Sequence, residues 1–263
     1  MTEQFTMIIL LIALGYFLKR INFIKATDSQ VIATLVLNVT LPSLVIVNLN
    51  SAELKLSFSI LPILMIIYGI VAKMIAVWFF RKYDNHMRGS VGMMTGAMNI
   101  GLFAYPLIEV IWPKTGLIYF VMADIGGAFV MFILNISHIH LPHVAIDFFS
   151  ILSHANMPLS MILLGVMLNF TLERKYIPAT IKYLCLHYGL ALVAGLLVYV
   201  LLPVSDDMIK TTLLVTWMFP VGVAIISYGI QFKYRTLPFI GMTTNLTIII
   251  SIIILYVYQA VFV

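Results

Sequence analysis

The run Met98-Asn99-Ile100-Gly101-Leu102-Phe103-Ala104-Tyr105-Pro106 places an amide, a glycine and a proline inside a long apolar segment, where a lipid-facing helix needs none of them. In lipid every backbone N–H and C=O must be satisfied within the protein. Helix-breaking residues therefore persist mainly where neighbours or a water-filled cavity replace the lost bonds, and such places are commonly binding sites. A second break falls at Phe219-Pro220-Val221-Gly222. If both broken helices cross near the membrane midplane, their half-helix N-termini bring positive dipole ends and free N–H groups to one point, which favours a small organic anion. Asn99 adds a neutral donor and acceptor that can orient a carboxylate without the desolvation cost of another charge. The candidate substrate-binding set is Asn99, Gly101, Tyr105, Pro106, Pro220 and Gly222, with the prolines acting through the backbone. The competing reading is that Asn99 caps or bridges helices and that the prolines are ordinary membrane-helix kinks.

A second set consists of polar groups expected at membrane depth: Lys73, Asp124, Asn38 and Asn245. A charge near mid-membrane is costly enough to suggest function, although Lys73 sits about two turns from a basic helix end and can instead snorkel. Asp124 reads as a protonatable or buried polar partner of the break, or as a cap. Glu109 falls near a helix end and reads as interfacial. His138, His140, His143 and His154 lack the spacing of a recognised metal site, so no metal is expected. No cofactor is expected either, and the absence of GxSxG, HExxH, a phosphate loop or a nucleotide motif argues against an enzyme.

The elements that must position these residues are membrane helices. Of 263 residues 62% are hydrophobic and 10% charged, and the apolar runs repeatedly reach the length of about 20 residues that crosses a bilayer. The chain reads as an all-α polytopic membrane protein of about nine transmembrane helices. The runs span roughly 5–18, 31–50 (interrupted at Asn38-Val39-Thr40-Leu41-Pro42), 58–80, 90–111, 115–134, 144–170 (interrupted at His154 to Pro158), 178–202, 209–232 and 237–258. The N-terminal run has no preceding basic region and no small-residue cleavage site, so it reads as a retained helix. Cys185 is the single cysteine, which excludes an intrachain disulfide and a Cys-based zinc site. The net charge of +5 fits cytoplasmic loops rich in Lys and Arg and needs no nucleic acid.

Gly92 and Gly96, four apart, are expected to form a close-packing face. An internal repeat is also legible. Pro42 pairs with Pro158 and Pro62 with Pro178 at an offset of about 116, while Met98 pairs with Met218 and Asp124 with Asn245 at an offset drifting to about 121. This predicts two inverted repeats with two broken crossover helices, residues 1–136 with five helices and 137–263 with four. The first helix of the second repeat is missing or degenerate, and the region from His138 to Ser153 has to stand in for it. The loops at Lys19 to Lys25, Arg81 to Arg88, Arg174 to Lys182 and Lys233 to Arg235 are expected inside, with the N-terminus outside.

Asn38-Val39-Thr40-Leu41-Pro42, Asn99-Ile100-Gly101 with Tyr105-Pro106-Leu107, Asp124, Met157-Pro158-Leu159 with Leu164-Gly165, and Pro220 with Tyr228-Gly229 resemble the auxin efflux carrier family in order and spacing. That family includes malate-permease-like transporters and is similar to the bile acid:sodium symporters. The resemblance implies ten helices in two inverted five-helix repeats, with the fourth and ninth helices broken at a crossover; this chain lacks the piece corresponding to the central loop and sixth helix. Lys73 falls where the plant carriers have a lysine four residues after an aspartate, with Gly69 in the aspartate's place. The implied activity is secondary active transport of malate-like or auxin-like carboxylates by alternating access in a bacterial cell membrane. The expected partners are the carboxylate, the lipid bilayer, and a proton or sodium as coupling ion, with homodimerisation left open. The alternative reading is a non-transporting truncated member or a helical membrane scaffold.

Overall fold

The computed structural model describes residues 2–25, 27–49, 55–113, 116–124, 142–169 and 173–262. Among these every regular element is helical, and the one β-type contact is an isolated antiparallel bridge between Met98 and Val221. In chain order the helices are α1 (Thr2–Arg20), α2 (Ser29–Leu35), α3 (Leu41–Leu49), α4 (Ile60–Phe79), α5 (Asn85–Thr95), α6 (Tyr105–Ile111), α7 (Gly116–Ala123), α8 (His143–His154), α9 (Asn156–Met167), α10 (Ile177–Leu201), α11 (Asp207–Trp217), α12 (Ala224–Gln231) and α13 (Leu237–Phe262). Among the described residues five segments are long and apolar enough to cross a membrane: Ser29–Asn48, Leu56–Phe79, His143–Met167, Arg174–Leu201 and Leu237–Phe262. The chain is thus an all-α, membrane-spanning protein. His138, His140 and Gly126-Gly127 lie outside the described residues, as does the 138–141 part of the region expected to stand in for the missing helix, while its remainder, 142–153, enters α8.

The breaks differ in kind. Pro42, expected to interrupt its helix, leaves the chain helical but widened: Val36–Thr40 form a π-turn joining α2 to α3. A proline cannot supply the N–H that the preceding turn requires, and an inserted residue absorbs the mismatch without unwinding the helix. Local side chains serve the displaced carbonyls, with Asn38 Nδ2 donating to the Thr34 carbonyl at 2.9 Å and Ser43 Oγ to that of Val39 at 2.6 Å. The breaks at 96–99 and 218–223 are true interruptions, since the chain there leaves the helix altogether.

The chain forms two compact units, Met1–Pro62 with Ile100–Leu168, and Ile63–Asn99 with Asn169–Val263. These are packing units, a different partition from the sequence repeats 1–136 and 137–263. In the first unit α1 lies directly against α9, backbone to backbone. A Cβ added at Gly15 would fall on the Ile162 carbonyl, and one added at Gly165 on the Ile12 carbonyl, so these two glycines permit the contact. Lys19 Nζ closes its end by donating to the Leu168 carbonyl at 2.8 Å. In the second unit α10 packs against α11 and α13, and a core of Phe80, Met87, Val91, Tyr183, Phe239 and Ile240 fills the space beside α4 and α5. The basic segments of this unit gather at one end. His86 stacks edge-on against Tyr234 at 5.5 Å, Ser90 and Thr236 hydroxyls are 2.6 Å apart, and Tyr176 OH donates to the Arg235 carbonyl at 3.4 Å.

Candidate functional site

The two true interruptions meet. Asn99 N–H donates to the Pro220 carbonyl at 2.9 Å and Gly222 N–H to the Ala97 carbonyl at 2.7 Å, framing the Met98–Val221 bridge. A broken helix leaves backbone donors and acceptors without intrahelical partners, and here each short strand supplies what the other lacks. A Cβ added at Gly222 would meet the Ala97 carbonyl oxygen at 3.4 Å, an ordinary van der Waals contact, so the approach does not itself require the glycine. Of the expected substrate set, Asn99, Pro220 and Gly222 are therefore brought together in the second unit.

The strand through Pro220 is also held from behind. Ser251 Oγ on α13 donates to the Met218 carbonyl at 2.7 Å, Val221 N–H donates to Thr247 Oγ1 at 3.1 Å, and His187 Nε2 on α10 lies 3.1 Å from the Phe219 carbonyl oxygen. Tyr188 OH reaches both Ser251 Oγ and the Thr247 carbonyl at 2.9 Å. Several of the polar atoms that the break exposes thus have dedicated partners. The Asn99 side chain is an exception: it is 5% exposed, and its Nδ2 has no hydrogen-bond partner among the described residues. Thr212 Oγ1, Thr216 Oγ1 and Trp217 Nε1, on the helix that enters the second strand, are likewise buried and unpartnered there. Buried polar groups in folded proteins are nearly always bonded, so the bare Asn99 amide is a group that water or a ligand can complete.

The remaining expected residues lie elsewhere. Gly101 sits in the π-turn Ile100–Ala104, with space for no Cβ nearer than 2.9 Å to Leu41 Cδ1. Tyr105 and Pro106 are buried at the start of α6, where proline's missing N–H costs nothing, and Tyr105 OH donates to Asp124 Oδ2 at 2.9 Å. These four residues belong to the first unit. Asn38 is exposed and serves its own helix, and Asn245 on α13 donates Nδ2 to the Asn169 carbonyl at 3.0 Å. Lys73 lines a cavity of about 370 Å³ together with Gly92, Gly96, Ala97 and Tyr228, so it faces the space that opens at the crossing strand. A Cβ added at Gly92 would come within 3.2 Å of Val77 Cγ2 on α4, whereas one added at Gly96 would meet only the Gly92 carbonyl oxygen at 4.0 Å. His143 and His154 join no metal-binding group among the described residues.

His187 is the residue the sequence reading passed over. Its only signal is a histidine near the middle of an apolar helix, which is itself a reason to suspect function.

Two comparisons bear on this arrangement. The family model for membrane transport proteins matches residues 1–143, more than half of the chain. An uncharacterized transporter of Methanothermobacter thermautotrophicus is 28% identical over 129 residues, 48% of this chain and 43% of that relative, so the match spans less than half of the relative's length.

Proposed function

Because the chain belongs to the membrane transport protein family, that of the auxin efflux carriers, and is an integral membrane transporter, we propose that it moves small malate-like or auxin-like carboxylates by alternating access. The observation that carries this reading is the pairing of Ala97 and Asn99 with Gly222 and Pro220, beside an Asn99 amide that is buried and lacks a partner. A carboxylate oxygen accepting from Nδ2 would complete that amide, and a neutral donor binds it without placing a second permanent charge in the membrane. Val223 follows the second strand directly, so the N-terminus of α12 begins there and adds to the anion's attraction. Lys73, beside the crossing strand in its cavity, supplies long-range attraction for the anion or answers to the coupling ion. Within the same proposal Tyr105 and Asp124 support the broken segment as a hydrogen-bonded pair, and Asn245 and Asn38 stabilise backbone. Gly101 and Pro106 shape the segment's turn.

The inverted repeat belongs to this proposal. It is supported by Thr40 Oγ1 and Asn156 Oδ1, hydrogen-bonded at 3.0 Å and 116 residues apart, the same offset that links Pro42 to Pro158. Positions next to a pseudo-two-fold axis are those expected to touch their own equivalents. The orientation proposed has the N-terminus outside and the basic segments in the cytoplasm of a bacterial cell, with a proton or sodium gradient as the driving force.

The test is uptake of radiolabelled malate into proteoliposomes under imposed pH and sodium gradients. Saturable uptake is expected, and Asn99→Ala is expected to raise KM by about tenfold or more, the loss of one hydrogen bond to a charged group. Absence of saturable uptake by monodisperse wild-type protein, with malate or with an auxin-like aryl acetate, would overturn the reading.

A further inference from the structure

His187 is 3% exposed, near the middle of α10, and its Nε2 faces the Phe219 carbonyl, an acceptor that can only receive a hydrogen bond. The neutral ring therefore carries its proton on Nε2, and Nδ1 presents a bare lone pair. Among the described residues nothing is bonded to Nδ1. The ring is stacked on Tyr183, with centroids 5.7 Å apart and 14° between planes, and meets Tyr188 edge-on at 4.9 Å. Aromatic faces at that range stabilise an imidazolium without any counter-charge.

The other ionisable groups on the elements packed against it stand off. Helix α13 carries only Tyr256 and Tyr258, and α11 carries Asp207 and Lys210 in its first turn, ion-paired at 3.9 Å. Arg174, Lys175 and Tyr176 precede His187 by three turns of helix, Lys182 on α10 itself donates to the Phe79 carbonyl at 2.9 Å, Cys185 is exposed, and Tyr68 on α4 is stacked on Trp217 at 4.5 Å. Lys73, also on α4, lines the cavity beside Ala97. The described surroundings thus place no carboxylate against the ring.

We propose that His187 is the proton-binding group that couples this carrier, holding the Phe219 carbonyl through Nε2–H and taking a proton on Nδ1 when a carboxylate enters the crossover. This rests on the carboxylate reading of the crossover. The proton comes from the aqueous phase to which the loaded site is open and leaves from the same nitrogen to the opposite phase with the substrate, one proton per turnover. Linkage makes the effect reciprocal: a bound carboxylate raises the proton affinity of His187, and a protonated His187 tightens carboxylate binding. The protonated ring also donates a stronger, charge-assisted bond to the Phe219 carbonyl, so loading stiffens the strand next to Pro220.

The experiment compares wild type with His187→Gln in proteoliposomes, using radiolabelled malate in two assays, zero-gradient exchange and accumulation driven by an acid-outside pH gradient. Glutamine keeps a donor at the Nε2 position but does not titrate, so the strand stays held while the proton site is lost. For wild type the exchange KM is expected to rise with pH, by up to about tenfold per pH unit once the free carrier's imidazole is neutral, since one proton binds with each carboxylate. For His187→Gln exchange persists, its KM shows only the residual dependence due to malate's own titration, and gradient-driven accumulation is lost. Accumulation by the variant equal to that of wild type would overturn the assignment. So would a wild-type exchange KM that stays constant between about pH 5 and pH 8, whether or not the variant folds. Failure of wild type to exchange malate at all would instead strike the carboxylate reading first and remove the His187 assignment with it.

Discussion

At the scale of single residues, the second unit fastens its helices with polar groups that serve broken or ending backbone. Lys182 on α10 is an instance: Nζ donates to the Phe79 carbonyl at 2.9 Å, at the last residue of α4, and lies 4.6, 4.7 and 5.1 Å from the ring centroids of Phe79, Phe80 and Tyr83. A cation at a helix C-terminus meets both the macrodipole and the last free carbonyls, and three aromatic faces add to it. Lys182→Met keeps the aliphatic stem and removes the charge. It is expected to destabilise by about 1–2 kcal/mol, seen as a lower unfolding midpoint in detergent, with Lys182→Arg intermediate. Tyr105 and Asp124 make the corresponding pair in the first unit. Tyr105→Phe leaves the carboxyl short of one donor and is expected to cost about 1–3 kcal/mol. Combining it with Asp124→Ala should cost less than the two single changes added together, because each removes the same bond. Additive losses in a double-mutant cycle would show that the pair does not act as one.

At the scale of elements, contact between α1 and α9 depends on two missing side chains. Gly15 and Gly165 each sit against a backbone carbonyl of the facing helix, so any Cβ forces the helices apart, and neither carbonyl can move as a flexible side chain would. Gly165→Ala is expected to lower the yield of monodisperse protein sharply, and Gly15→Ala to do the same. Gly189→Ala on α10, where an added Cβ meets nothing within 4 Å, should be neutral or slightly stabilising. The same comparison shows what sequence could and could not say. Proline and glycine marked every interruption, because a missing donor is a property of the residue itself. Whether the chain then widens into a π-turn, as at Val36–Thr40, or leaves the helix, as at 96–99, depends on whether a second strand is there to take up the freed groups. That partner is distant in sequence. Asn38 and Asn245 stand out by residue type as coupling or buried polar groups; both bond a backbone carbonyl, Asn38 from an exposed position and Asn245 from a buried one. His187 carries the reverse lesson: an ordinary position on a helix becomes a site only through what lies opposite it, here the Phe219 carbonyl.

At the scale of the whole molecule, the second unit carries its own indication of how it stands in the membrane. Arg81, Lys82 and Arg88, Arg174 and Lys175, and Lys233 and Arg235 lie on segments joined at one end by the contacts of His86, Tyr176 and Tyr234. Helix α10 then leads through Leu201 to Asp206 and Asp207, the acidic pair at the start of α11. Helix α5 climbs eleven residues from the basic end before it breaks, and α11 descends eleven from the acidic end before it breaks. At 1.5 Å per residue each covers about 16 Å, half of a hydrocarbon core about 30 Å thick. The strands that pair at Met98 and Val221 should therefore sit near the midplane, as far from either water phase as the bilayer allows, where an unpartnered amide has most reason to wait for a ligand. The excess of Lys and Arg predicts that the basic end faces the cytoplasm. In a Cys185→Ser background, Lys82→Cys, Lys175→Cys and Lys233→Cys are expected to react with a membrane-impermeant maleimide only from the cytoplasmic face, and Ser205→Cys only from the other. Labelling of Ser205→Cys and Lys82→Cys from one face would mean that α10 does not span. The crossing strands would then lose their place at the midplane, and alternating access about them would lose its geometric basis.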